Sequence, residues 1–163
     1  MEIRHLQQTD DSFAISNIYE QSWKFAYKNI VPQSYLESIP NGKWAAFLNR
    51  KDVNTLVMIE NDIFIGTSSY GKSRFADLEN YGEIDSIYLL PEYMGKGFGK
   101  KLIFAVIDEL VRLNYKDIFL WVLEDNIRAR RFYEKCGFKL SSDTINANIG
   151  GKELKELRYC IHI

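Results

Sequence analysis

Leu89-Leu90-Pro91-Glu92-Tyr93-Met94-Gly95-Lys96-Gly97-Phe98-Gly99-Lys100-Lys101 sets three alternate glycines between an apolar strand and a long amphipathic helix. Glycine lets the backbone approach a ligand closely and reach positive φ. A helix start presents unpaired N–H groups and the positive end of the peptide dipole. Lys96, Lys100 and Lys101 add charge beside those donors. The stretch reads as a receptor for phosphate oxygens, with a pyrophosphate as its expected ligand.

Known glycine patterns compete for this loop. A P-loop requires G-x-x-x-x-G-K followed by Ser or Thr. Here Lys101 follows Gly99-Lys100, and Met94 stands where the first glycine belongs. The dinucleotide fingerprint G-x-G-x-x-G needs a third glycine where this chain has Lys100. Its acidic residue, expected about 20 positions onward, has candidates in Glu124 and Asp125. A plain turn is the remaining reading.

Composition narrows the classes. A chain of 163 residues with 46% hydrophobic content suits one domain, residues 1–163, with a sizeable core. Charged residues make up 26% and nearly cancel to a net charge of -1, which argues against nucleic-acid or anionic-membrane partners. No apolar run approaches membrane-spanning length, and Met1-Glu2-Ile3-Arg4-His5 lacks a signal-peptide core. Cys136 and Cys160 show no metal or redox spacing, and His5 and His162 lie at opposite ends of the chain. No metal is expected, and without a G-x-S-x-G elbow neither is a Ser-His-Asp hydrolase. A reduced, cytoplasmic protein is the expectation.

Periodicity predicts the elements. Ile3 to Leu6 is a strand, and Asp10 or Asp11 caps a helix with Phe13, Ile15, Ile18, Tyr19, Ser22, Trp23 and Ala26 on its inner face. Pro32 starts a second helix, which Pro40 and Gly42 end. Thr55–Glu60 and Ile63–Ser69 are strands about an Asn61-Asp62 turn, and Arg74–Asn80 is a polar loop. Gly82–Leu90 is a strand, Gly97–Asn114 a helix with Leu102, Ile103, Val106, Leu110 and Leu113 in one stripe, and Ile118–Leu123 a fully buried strand. Strand, helix, strand makes a βαβ unit with parallel strands. A helix from Asn126 to Cys136 and a hairpin about Gly150-Gly151 close the chain. The fold class is α/β, also describable as α+β, with a mixed, mostly antiparallel sheet covered on both faces.

At this point the chain resembles the GNAT superfamily of acetyl-coenzyme-A-dependent N-acetyltransferases. Three segments carry the resemblance in the family's order: the strand Glu83–Leu90, the loop Met94-Gly95-Lys96-Gly97-Phe98-Gly99, and Asn126-Ile127-Arg128-Ala129-Arg130-Arg131-Phe132-Tyr133-Glu134-Lys135-Cys136-Gly137-Phe138. The family's loop is R/Q-x-x-G-x-G/A, and Met94 departs from it at the R/Q position. The resemblance implies a three-layer αβα fold whose central parallel strands splay apart. It also implies acetyl-coenzyme A as cosubstrate and a direct transfer to an amine in a ternary complex. The pyrophosphate would sit on the N–H groups of Gly95, Lys96, Gly97, Phe98, Gly99 and Lys100. The pantetheine arm, which carries amides, would pair with the backbone of Ile87, Tyr88 and Leu89, with Asn126 as a cap and a further contact.

An amine of pKa about 10.4 must lose a proton before it attacks, and a carboxylate raised by burial is a suitable base. Glu83 occupies the family's frequent base position, and Asp85, two residues on, is the substitute. A strand N–H near Tyr88 would serve the oxyanion. Tyr133 falls at the general-acid position. A phenol giving its proton to a thiolate is uphill by roughly 2 kcal/mol, so Tyr133 must either be acidified, with Arg130 or Arg131 as helpers, or only hydrogen-bond the sulfur.

The acceptor would lie by the first two helices, where Trp23, Phe25, Tyr27, Tyr35 and Trp44 make an aromatic region. With Glu83 and Asp85 it suits a cation on an apolar stem, with Trp23 and Tyr27 as contacts. Polyamines, peptide N-termini, protein lysines and aminoglycosides all remain open. Homodimers are common in the family, and this sequence carries no mark of one. Two rivals stand beside the enzyme: a non-catalytic coenzyme-A-binding regulator and a dinucleotide-dependent oxidoreductase.

Overall fold

Two-residue alternation in the opening meander sends side chains into two separate cores. In β2 (Asn54–Glu60), Leu56 and Met58 enter one cluster and Val57 the other. The computed structural model describes residues 1–163, the side chain of Asn49 excepted. β1 (Glu2–His5), β2, β3 (Ile63–Lys72) and β4 (Gly82–Leu89) pair antiparallel in sequence order. β5 (Asp117–Leu123) then lies parallel to β4, and β7 (Lys152–His162) and β6 (Lys139–Ile149) complete the order β1-β2-β3-β4-β5-β7-β6. The two hairpin turns use left-handed residues, Asn61 and Asp62 at φ 50° and 63° and Gly150 and Gly151 at 62° and 85°. Such pairs match the twist of the flanking strands.

Helices cover both faces. α1 (Ser12–Ala26) and α2 (Gln33–Ser38) lie on one side, and α3 (Phe98–Arg112) and α4 (Ile127–Lys135) on the other. Asp11, not Asp10, caps α1 by accepting from the N–H groups of Phe13 and Ala14. Asp10 turns back to Arg4, which holds its carboxyl below the usual range by a hydrogen-bonded ion pair at 2.8 Å. Phe13, expected on the inner face, is 58% exposed. It sits in the first turn of α1, and its ring lies over Gly42 in the facing loop. Leu113 likewise leaves the α3 stripe and is exposed, because the helix has already ended at its C-cap.

α4 stops at Gly137, whose φ of 96° lets the N–H groups of Gly137 and Phe138 reach back to Glu134 and Tyr133. That closure seats Phe138 in the core. Among the described residues, no helix is long and apolar enough to cross a membrane.

Candidate active site

The parallel pair is short. β4 and β5 align only at Gly82↔Ile118 and Glu83↔Phe119 and then part, while β5 stays paired with β7 along its whole length. β4 also carries a bulge: Ser69 faces Ser86 and Tyr70 faces Ile84, so Asp85 has no partner in β3. A bulge inserts one residue and re-aims its neighbours. Glu83, Asp85 and Tyr88 therefore reach the α1 side, while Ile84, Ile87 and Leu89 turn to the α3 side.

At the far end of β4, the turn into α3 has the shape expected of the glycine loop. Gly95 and Gly97 adopt φ of 76° and 86°, and a Cβ on either would meet nothing within 4 Å. Among the described residues, the N–H groups of Gly95 to Lys100 have no main-chain acceptor, and Lys101 is the first to bond back, to Gly97 O at 3.3 Å. Six successive donors are thus without a main-chain partner, in a stretch that also carries Lys96, Lys100 and Lys101. The third glycine works differently. A Cβ on Gly99 would press on Phe132 of α4 at 3.3 Å and on Leu89 at 3.4 Å, so Gly99 lets the two helices and β4 approach.

On the α1 face, the parted strands open into a cleft of about 290 Å³. Trp23 and Tyr27 from α1, Tyr88, Phe75 and Trp121 form aromatic walls, and Glu83, Asp85 and Glu156 supply carboxylates. The expected acceptor contacts Trp23, Tyr27, Glu83 and Asp85 are brought together here. Phe25 is not: it is 49% exposed on the outer side of α1, beneath Arg128. Tyr35 packs in the cluster around α2, and Trp44 packs on Tyr19 and Trp23 of α1 with ring centroids at 5.4 and 5.5 Å; neither lines the cleft.

Arg74 was not singled out in the sequence, yet it organises the carboxylates. Its main-chain N–H donates to Glu83 Oε2 at 3.0 Å, and its Nη2 donates to Glu83 Oε1 at 2.7 Å. The same Nη2 lies 2.8 Å from Asp85 Oδ1. The Glu83 side chain is 3% exposed and both its oxygens are engaged. Asp85 is 27% exposed at its side chain and keeps Oδ2 free of protein donors among the described residues. Burial raises Asp85 above the usual carboxylate range and Glu83 adds to the shift, while Arg74 opposes it. Glu156, across the cleft, is also raised by burial.

Tyr133 lies buried in the core on the α3 and α4 side of the sheet. Its ring packs on Phe132 at 5.4 Å, Phe138 at 6.1 Å and Tyr159 at 6.3 Å. Burial pushes its phenol far up, and the phenol of Tyr88, which comes from the α1 side, raises it further. Among the described residues, no cation contributes to the Tyr133 shift, and Arg130 donates instead to Tyr159 Oη at 3.2 Å and to the Glu124 carbonyl at 2.9 Å. Burial thus favours the protonated phenol.

The remaining expected positions are also placed. Asn126 caps α4, accepting from the Ala129 N–H at 3.2 Å. Ile87, Tyr88 and Leu89 pair with β3 on one side and have no β5 partner on the other. The Leu89 carbonyl already accepts from Ser22 Oγ. Beyond Arg74, the sequence reading missed Phe75, Trp121, Glu156 and the side chain of Tyr88. Only the alternation of β7 carried a signal, since Glu156 falls on the face opposite Leu157, whereas the unbroken apolar run of β5 gave none for Trp121. Among the described residues, no group of three or more His, Cys, Asp or Glu is placed to hold a metal.

One parallel pair in a largely antiparallel sheet departs from the doubly wound parallel sheet that a dinucleotide fold requires. Comparison with known proteins agrees. The family model for the acetyltransferase (GNAT) family matches residues 14–138. An uncharacterized N-acetyltransferase of Bacillus subtilis is 29% identical over 153 residues, covering 91% of this chain and 86% of that protein. The spermidine N(1)-acetyltransferase of Thermoplasma acidophilum is 26% identical over 147 residues, covering 86% and 89%. The crystal structure of a PaiA N-acetyltransferase from Thermoplasma acidophilum, in complex with coenzyme A, superposes with a TM-score of 0.75 at 22% identity over 100% of both chains. With its family match spanning most of the chain, this protein belongs to the GNAT acetyltransferases.

Proposed function

We propose that this protein transfers the acetyl group of acetyl-coenzyme A to a primary amine borne on an apolar stem, by direct attack with both substrates bound. The observation that carries the reading is the gap between β4 and β5. It leaves the β4 edge at Ile87 and Tyr88 without a β5 partner and opens a carboxylate-lined aromatic cleft on the α1 side, while Tyr133 is buried in the layer on the opposite face.

The residues present fit the coenzyme. Six unpaired N–H groups from Gly95 to Lys100 suit a diphosphate, and the space before Gly95 and Gly97 admits it. Acetyl-coenzyme A supplies a thioester carbonyl and a thiolate leaving group. The free edge of β4 at Ile87 and Tyr88 offers backbone partners for the amide-bearing arm, and the Tyr88 N–H is the donor for the carbonyl oxygen. Tyr133 keeps its proton and hydrogen-bonds the departing sulfur.

On the acceptor side, a protonated amine is drawn by Asp85 and Glu156 and by the faces of Trp23, Tyr27, Tyr88 and Trp121. A carboxylate of the Glu83–Asp85 pair takes the proton before attack. The similarity to a spermidine N(1)-acetyltransferase supports aliphatic polyamines as the acceptor class. A panel of spermidine, spermine, a lysine peptide and an aminoglycoside, read by thiol release, tests this. Turnover is expected for the polyamines. Tight coenzyme binding without thiol release from any amine would make the protein a coenzyme-binding regulator instead.

A further inference from the structure

We propose that Arg74 is a positioning residue that removes Glu83 from proton chemistry and leaves Asp85 as the base. This rests on the transferase reading above and deepens it.

The geometry is asymmetric. Glu83 is almost wholly buried and gives both oxygens to Arg74, Oε2 accepting from the main-chain N–H and Nε, Oε1 from Nη2 and Nε. Both Glu83 oxygens are therefore occupied by charge-assisted bonds, leaving neither free to meet a substrate. Asp85 shares the same guanidinium nitrogen through Oδ1 alone. Its second oxygen has no protein donor among the described residues, and Asp85 lines the cleft.

The bulge creates the difference. It leaves Asp85 without a partner in β3 and turns it toward the cleft wall beside Glu83. Arg74 is fixed from behind, because its own N–H is anchored on Glu83 while Phe75, the next residue, packs on Phe119 and Trp121 with centroids at 6.0 and 5.7 Å. From that anchor the guanidinium, 65% exposed at its side chain, meets both carboxylates. It holds Asp85 Oδ1 and so aims Oδ2.

Other ionisable groups around Asp85 are few. Arg50, from the loop before β2, acts from farther off and is itself paired with Asp52. Tyr19 of α1 faces Asp85 and hydrogen-bonds Ser69 and Ser86. Glu156 of β7 and Tyr88 line the opposite parts of the cleft. Arg74 and Glu83 are the two charges in contact, and they act with opposite sign. Removing Arg74 must raise the proton affinity of Asp85, and neutralising Glu83 must lower it.

The test is a carboxyl-carbon NMR titration of the unliganded protein, with Arg74→Gln, Arg74→Lys, Glu83→Gln and Asp85→Asn beside the parent. The Asp85 midpoint should move up by about one pH unit or more in Arg74→Gln, move down in Glu83→Gln, and stay nearer the parent in Arg74→Lys. With spermidine as acceptor, the acidic limb of kcat/KM should follow those midpoints. Asp85→Asn should cut kcat about a hundred-fold or more, and Glu83→Gln less than ten-fold. An Asp85 midpoint unmoved in Arg74→Gln, or a larger loss in Glu83→Gln than in Asp85→Asn, overturns the assignment. If Arg74→Gln fails to fold, the midpoints in Glu83→Gln and Arg74→Lys still decide it. The titration needs no acceptor, so a failure of the amine panel is distinguishable from a failure of this inference.

Discussion

The indole N–H of Trp23 donates to the hydroxyl of Tyr88 across 3.1 Å, fastening α1 to β4 just past the bulge. This contact joins the helix that walls the acceptor cleft to the strand whose free edge faces the coenzyme side. Both partners are half-buried, and Tyr88 is held well above its ordinary range by burial, so it remains a neutral phenol.

Trp23→Phe keeps the wall but removes the donor. An unpaired hydroxyl in this setting costs about 1 kcal/mol, so thermal melting should show a drop of a few degrees. Amine KM should rise several-fold with coenzyme affinity unchanged in calorimetry. A change in coenzyme affinity alone would place Trp23 outside the acceptor site.

Tyr133→Phe keeps the packing against Phe132, Phe138 and Tyr159 and loses only the hydroxyl. Coenzyme binding should persist while single-turnover transfer slows ten-fold or more. The raised phenol stays protonated throughout neutral and mildly alkaline pH, so the parent enzyme should show no loss of kcat from Tyr133 as pH rises to about 10. Equal single-turnover rates for parent and variant would remove its role.

Gly97→Ala puts a side chain at φ 86°. The left-handed position costs about 1 kcal/mol for an L-residue, and the new methyl occupies the open space before the donors. Coenzyme affinity should fall about ten-fold in calorimetry. Gly99→Ala should instead lower the melting temperature through its contact with Phe132. Equal coenzyme affinity in parent and Gly97→Ala would move the diphosphate elsewhere.

Asn126→Ala removes the α4 cap, worth about 1 kcal/mol, and should lower the melting temperature, while Asn126→Ser restores most of it. If Asn126→Ser recovers stability but not coenzyme affinity, the side chain contacts the ligand as well as the helix.

Much of the fold was legible because its signals are local. The strand–glycine–helix transition at Leu89–Lys101, the hairpins at Asn61-Asp62 and Gly150-Gly151 and the cap at Asn126 each depend on a few adjacent residues. Phe13 and Leu113 show where periodicity misleads: each is on the right face of its helix but at an end where the partner layer no longer reaches. The acceptor cleft was half legible. Trp23, Tyr27, Glu83 and Asp85 come from segments already suspect, whereas Arg74 sits in a polar loop that looks like any other solvated turn.

The chain's own pattern was enough to determine the element order, the parallel β4–β5 crossover and the donor-rich start of α3, because backbone preference and side-chain period act over a handful of residues. Which carboxylate is free was decided only in three dimensions. The bulge opposite Ser69 and Tyr70 and the reach of Arg74 across β4 depend on contacts between distant segments. Two acids spaced two apart look equivalent in a sequence, and only burial and a shared cation make them different.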